Sequence, residues 1–246
     1  MKLPSSTTVL GRILRLPLRL IPETAIVPIL QGAFRGMRWI VGSSDHGCWL
    51  GTYEGFKRRR YEQLVKPGMV AFDIGAHVGY YTLLSSALVG NSGSVVAFEP
   101  LPENIEYLKR HVALNQLENV QIIEAAVTDR DRKMTFNIAP SRSMGYLSEG
   151  GNLEVEAISL DQFLTRDDVP TPQVLKIDVE GAELSVLQGA QNLITTCRPL
   201  IFLATHGDEI HRQCLERLQF WGYSLEPLDG VQIDQSSEVL ARHGRI

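Results

Sequence analysis

Seven residues, Asp73-Ile-Gly75-Ala76-His77-Val-Gly79, have the types and spacing of a ligand-binding turn. An acid closes an apolar run, and two glycines bracket the chain before a helical pattern begins. Glycine has no Cβ, so Gly75 and Gly79 let the backbone approach a ligand closely. A helix opening near Gly79 turns free N–H groups toward the same crevice. The spacing is G-x-x-x-G and not the G-x-G-x-x-G of a dinucleotide site. A pyrophosphate favours a neutral or positive turn, whereas the Asp73 carboxylate suits a cationic ligand.

Two more acidic positions follow at the ends of apolar runs. Glu99, in AFEP, either accepts both hydroxyls of a ribose, as the acid of a dinucleotide fold accepts one, or caps the next helix for about 0.3–1 kcal/mol. Asn104 is either a polar contact beside it or a solvated helix residue. Ala126, late in the third run with Glu124 and Ala125, either leaves room for an adenine or simply packs. The third acidic block is Lys176-Ile-Asp178-Val-Glu180-Gly181-Ala-Glu183. Unpaired carboxylates are costly to bury, so these acids belong at an open rim beside a ligand. Asp178 is the preferred functional acid. Glu180 shares its face if the strand extends that far, and Glu183 reads as a helix cap. S-adenosylmethionine carries an ammonium and a sulfonium and no phosphate, which such a rim suits.

His206, closing the run LIFLATH, is either the leading candidate for a general base, with an ordinary pKa near 6.5, or a plain surface or core histidine. His77 reads as a cofactor contact. A divalent ion on Asp178, Glu180 and His206 is the alternative use of that cluster. Trp49 and Tyr53, with Asp45, His46, Glu54 and the 139–152 loop, form the expected pocket roof. Those aromatics either stack on a substrate ring or fill the core of the segment that carries them. The Lys57–Arg60 run reads as a solvated helix face or a subunit contact.

The elements that position these residues alternate regularly. MVAFDIG (69–75), VVAFEP (95–100), VQIIEAAV (120–127), VLKIDVEG (174–181) and LIFLATH (200–206) are short apolar runs of buried parallel strands. Between them lie helical faces such as Tyr80, Leu83, Leu84, Ala87 and Leu88. MTFNIA and EVEAISL interrupt the alternation as an antiparallel pair, and YSLEPL (223–228) reads as a late strand. This predicts an α/β fold, a doubly wound, mostly parallel Rossmann-like sheet with ligands at the carboxyl ends of its strands. Residues 66–246 form that domain, 31–65 a small β-rich lead-in (RGMRWIVG and CWLGTYE as strands), and 1–30 an N-terminal arm.

Composition is that of a globular chain: 44% hydrophobic, 21% charged, net charge −4 over 246 residues. The acidic balance argues against a nucleic-acid partner held by phosphate contacts. Cys48, Cys197 and Cys214 show no metal-ligand spacing and fit unpaired thiols in a cytoplasmic protein. In residues 9–30, arginines and prolines break the apolar run. That leaves an arm packed on the domain or a partner subunit of a homo-oligomer, or a peripheral membrane contact.

DIGAHVGYYT, AFEPLPEN and LKIDVEGAELSVLQGA resemble the motifs of the FkbM family of methyltransferases, over about residues 50–225. The resemblance implies a class I methyltransferase fold and S-adenosylmethionine-dependent O-methylation of a sugar or small natural product. It also implies that Asp73, Gly75, His77 and Gly79 line the methionine end of the cofactor, with Glu99 at the ribose and Asp178 near the reacting methyl. The family's Glu-x-His pattern reads Ala204-Thr205-His206 here, so that acid is missing. Two rivals remain: a cofactor-binding accessory protein without catalysis, and a nicotinamide-dependent oxidoreductase.

Overall fold

The computed structural model describes residues 18, 20–138, 145–147 and 153–244, with backbone alone at 136–138 and 145–147. Most of the arm and most of the 139–152 loop expected to roof the pocket therefore lie outside the described residues. β2 (Arg38–Ile40) of the lead-in pairs with β1 (Ile26–Pro28) at the end of the arm, and the lead-in then turns helical, in α1 (His46–Leu50) and α2 (Gly55–Leu64). CWLGTYE, expected as a strand, thus forms most of α1 and the turn after it. Local capping decides this. The Asp45 carboxylate accepts from the Gly47 N–H at 2.6 Å, and Gly51 closes the helix with φ +71°.

The main sheet is built from β3 (Val70–Ile74), β4 (Ser94–Phe98), β5 (Val120–Ile123), β10 (Val174–Ile177), β11 (Leu200–Ala204), β12 (Tyr223–Pro227) and β13 (Glu238–His243). Its order is β12-β13-β11-β10-β3-β4-β5, parallel except for β13, which runs antiparallel to both neighbours. Alternation along β3 sends Phe72 and Ile74 to one face and Ala71 to the other, so one strand serves two cores. The first core packs α5 (Leu160–Phe163), α6 (Glu183–Gly189), α7 (Gln191–Cys197) and α8 (Asp208–Phe220) through Phe163, Val186, Leu193 and Leu218. The second packs α3 (Tyr80–Val89) and the lead-in through Leu83, Leu84, Trp39 and Tyr61.

Two expectations shift here. The run 120–127 is not one strand: β5 ends at Ile123, and β6 (Ala126–Val127) joins a second sheet, β6-β9-β7-β8. In that sheet β7 (Arg132–Ile138) pairs antiparallel with β9 (Leu153–Ile158), as expected, and β8 (Gly145–Leu147) lies at its edge. β13 was not expected at all. From β3 the chain winds through α3 to β4 and, through α4 (Pro102–Leu114), to β5 on one side, then returns to β10 on the other. The carboxyl ends of β3 and β10 thus flank a topological switch point, where open α/β sheets bind ligands.

Candidate active site

Beyond β3 the chain makes a tight turn. Gly75 has φ +76°, and a Cβ there would sit 1.9 Å from the carbonyl oxygen of Asp178. Only glycine lets the β3 and β10 ends approach this closely. The Gly75 and Ala76 N–H groups both donate to the Phe98 carbonyl, at 3.0 and 2.9 Å, which ties the turn to β4. Gly79 also has positive φ (+99°), but its missing Cβ makes room for Leu108 of α4. It lies behind the site, with no contact to the cavity.

A cavity of about 350 Å³ opens along this edge, lined by Gly75, Ala76 and His77 of the turn and by Glu99, Asn104, Ala125 and Ala126. Glu99 is 4% exposed. Its carboxylate accepts from the His77 N–H at 2.8 Å, the Leu101 N–H at 3.0 Å and the Asn104 amide at 3.1 Å. Burial, only partly offset by these bonds, raises its pKa. Three donors leave one acceptor position of the carboxylate open. His77 is held neutral: burial, then the Lys176 ammonium, depresses its pKa to about 4.

Asp73 does not line the cavity. It is buried beneath the turn, accepting from the Thr82 hydroxyl at 2.6 Å, with the Lys176 ammonium 3.3 Å away. Its charge is therefore matched inside the protein, and the electrostatic part expected of it falls to Asp178. Lys176 also donates to the Gly75 carbonyl at 2.7 Å. A lysine within the buried run VLKI must find such partners, and that requirement is legible in the sequence itself.

At the other end of the cavity stand Asp178 and Glu180. β10 stops at Ile177, so strand alternation does not place this pair; Glu180 instead takes φ +52°. Burial opposes the Asp178 charge, but the Lys176 and Lys57 ammoniums outweigh it and hold its pKa below the ordinary value. His206 stands just outside the cavity lining. Its Nδ1 lies 2.7 Å from Glu183 Oε1, and its Nε2 lies 3.5 Å from Glu180 and 3.8 Å from Asp178 Oδ1. The Glu183 hydrogen bond, acting against partial burial and supported by the charges of Glu180, Glu183 and Asp178, raises the His206 pKa to about 9. This corrects the expectation of an unperturbed imidazole: free His206 is an imidazolium at neutral pH.

Glu183 is more than a helix cap. It is fully buried, accepts from the Gly181 N–H at 3.0 Å and holds His206 Nδ1 at 2.7 Å. Asp178, Glu180 and His206 offer ligand atoms within 4.8 Å of one another. Two ammoniums 3.8 Å from Asp178 would repel a dication there, while their closer partners, Asp73, Glu54 and Glu238, leave Asp178 its negative charge.

Ser44, Cys48, Tyr53 and Glu54 of the lead-in also line the cavity. Trp49 does not reach the cavity; it is buried in the lead-in core with its indole N–H on His46 Nδ1 at 3.1 Å. The Lys57–Arg60 run is not a solvated face either, since Lys57 and Arg58 are buried.

Residues 73–225 match the model of the methyltransferase FkbM domain. The chain is 28% identical over 127 residues to hexuronic acid methyltransferase AglP of Haloferax volcanii, covering 51% of each chain. It is 25% identical over 162 residues to the 31-O-demethyl-FK506 methyltransferase FkbM of Streptomyces tacrolimicus, covering 52% of this chain and 62% of that one. These alignments span between half and two thirds of the relatives' lengths. In fold, the chain is similar to the FkbM methyltransferase of Methylobacillus flagellatus, with TM-score 0.52, 16% identity, and coverage of 81% of this chain and 56% of that one. With the FkbM model matched from Asp73 at the end of β3 to Leu225 in β12, the chain belongs to the FkbM family of methyltransferases.

Proposed function

We propose that this chain transfers the methyl group of S-adenosylmethionine to a hydroxyl oxygen of a sugar or another small hydroxylated metabolite. One observation carries the reading: a single cavity joins a buried carboxylate with an open acceptor position, Glu99, to the Asp178–Glu180 pair beside His206. The cavity fits that cofactor. Glu99 can take a ribose hydroxyl, the small side chains of Ala125 and Ala126 leave space for a flat base, and Asp178 and Glu180 face the positive end. Two relatives, a hexuronic acid methyltransferase and a 31-O-demethyl-FK506 methyltransferase, support a hydroxylated acceptor.

When bound, S-adenosylmethionine supplies an electrophilic methyl on a sulfonium; the protein supplies position and a proton acceptor. Glu99 fixes the ribose end. Asp178, held charged by two lysines, stabilises positive charge at the reacting end. Tyr53 and Glu54 bound the space left for the acceptor. Neutral His206 Nε2 takes the hydroxyl proton, while Glu183 keeps Nδ1 protonated and the ring in place. Because free His206 titrates near 9, the base form grows as pH rises toward that value.

The test is methyl transfer from labelled S-adenosylmethionine into a panel of hexuronic acid glycosides, other sugars and polyhydroxylated natural products. Label in an acid-stable ether supports the reading; label in none, with the cofactor bound, favours a non-catalytic accessory protein, the reading that Ala204 in place of the family's acid keeps open.

A further inference from the structure

Two lysines bear on Asp178, and one of them lies outside the matched family region. Lys176 belongs to β10, whereas Lys57 comes from α2 of the lead-in and does not line the cavity. Lys57 is 2% exposed. Its ammonium lies 2.8 and 3.1 Å from the two oxygens of Glu238 on β13, 3.2 Å from Glu54 and 3.8 Å from Asp178 Oδ2. It also stands 5.2 Å from the centre of the Tyr81 ring. An ammonium this deeply buried persists only where carboxylates surround it.

The surroundings are themselves constrained. Glu54 takes φ +43°, a left-handed conformation that a side-chain-bearing residue adopts at a cost. That turn aims its carboxylate at Lys57 and at the Tyr81 hydroxyl, 2.8 Å away. From the sheet side, Lys176 Nζ also lies 3.8 Å from Asp178 Oδ2. One oxygen of Asp178 therefore faces two ammoniums, and the other, Oδ1, faces His206 Nε2.

Resting on the methyl-transfer reading, we propose that Lys57 is a positioning residue of the reaction: paired with Lys176, it fixes the rotation of the Asp178 carboxylate and keeps Oδ1 turned toward His206. Glu54 and Glu238 hold Lys57 in turn. The lead-in thus contributes to the reacting end through a charge as well as through the wall residues Tyr53 and Glu54.

A double-mutant cycle tests this without an acceptor, reading the His206 titration midpoint by NMR in the full chain with labelled histidine. The groups facing His206 are Asp178, Glu180 and Glu183. In the wild-type background, Asp178→Asn lowers the midpoint, because it removes one of the three carboxylates. Lys57→Met leaves Glu238 and Glu54 uncompensated, so Lys57→Met with Glu238→Gln serves as the charge-balanced background. There Asp178→Asn shifts the midpoint by less than half the wild-type amount, and Lys57→Arg keeps the full shift. A shift of half or more in the paired variant, or none in the wild type, overturns the proposal. Calorimetry with S-adenosylmethionine on the wild-type chain separates the two claims: absent binding removes the methyl-transfer reading, whatever the cycle shows.

Discussion

Replacing Glu183 with glutamine removes the largest influence on His206 and should bring its midpoint from about 9 back toward 6.5 in an NMR titration. An unmoved midpoint would mean that the Nδ1 contact is absent in solution. The same shift links pH to stability. A histidine whose folded pKa is raised contributes stability that is fully present below about 6.5 and is lost as pH rises through about 9. His206→Asn should therefore flatten the fall in thermal stability across that window. In turnover, His206→Ala should cost about 10²–10⁴-fold while leaving cofactor affinity within a few-fold; full turnover would remove the base assignment. At this scale the polar residues that end apolar runs at Glu99, Asp178 and His206 do gather at or beside one cavity, whereas Asp73, which also closes a run, lies beneath it. Lys57 was illegible, because a basic run looks the same whether its first member faces water or is buried among carboxylates, two of which, Asp178 and Glu238, come from distant segments.

The elements set how close these residues come. Gly75→Ala would place a Cβ 1.9 Å from the Asp178 carbonyl in a left-handed conformation. Urea denaturation should show a loss of about 3 kcal/mol or more; a loss below about 1 kcal/mol would show that the β3–β10 crossing yields easily. A second joint is His111 on α4. Its Nδ1–H donates to the Val78 carbonyl at 2.7 Å, its Nε2 accepts from the Ile40 N–H at 3.0 Å, and its ring stacks on Trp39 at 4.1 Å. Burial depresses its pKa to about 4, so it stays neutral while the unfolded chain takes up a proton. Stability present above about 6.5 is lost as pH falls to about 4, by about 3 kcal/mol. His111→Gln should make the acid dependence shallower in that window, measured by denaturant midpoints, although His77 titrates in the same direction. The parallel strands were legible because burial on both faces leaves long apolar runs. The lead-in helices were not, since an Asp45 cap and a Gly51 stop outweighed the strand-like aromatics between them. β13 was missed because it comes after the strand–helix alternation has ended and pairs antiparallel between two strands that precede it in the chain.

Across the whole molecule, the family region supplies most of the cavity lining, and segments on either side of it, the lead-in and β13, bring Tyr53, Glu54, Lys57 and Glu238 to or near the Asp178 end of the cavity. Among the described residues no helix is long and apolar enough to cross a membrane. The charge balance around Asp178 predicts that a strong chelator leaves the methyl-transfer rate unchanged, and a loss restored by a divalent ion would reinstate the metal alternative. Calorimetry on the full chain asks whether this cavity holds S-adenosylmethionine by its ribose on Glu99. The wild-type chain should bind one equivalent of S-adenosylmethionine and no NAD, and Glu99→Gln should weaken that binding at least tenfold. NAD binding in place of S-adenosylmethionine, or an affinity unchanged by Glu99→Gln, would contradict that placement.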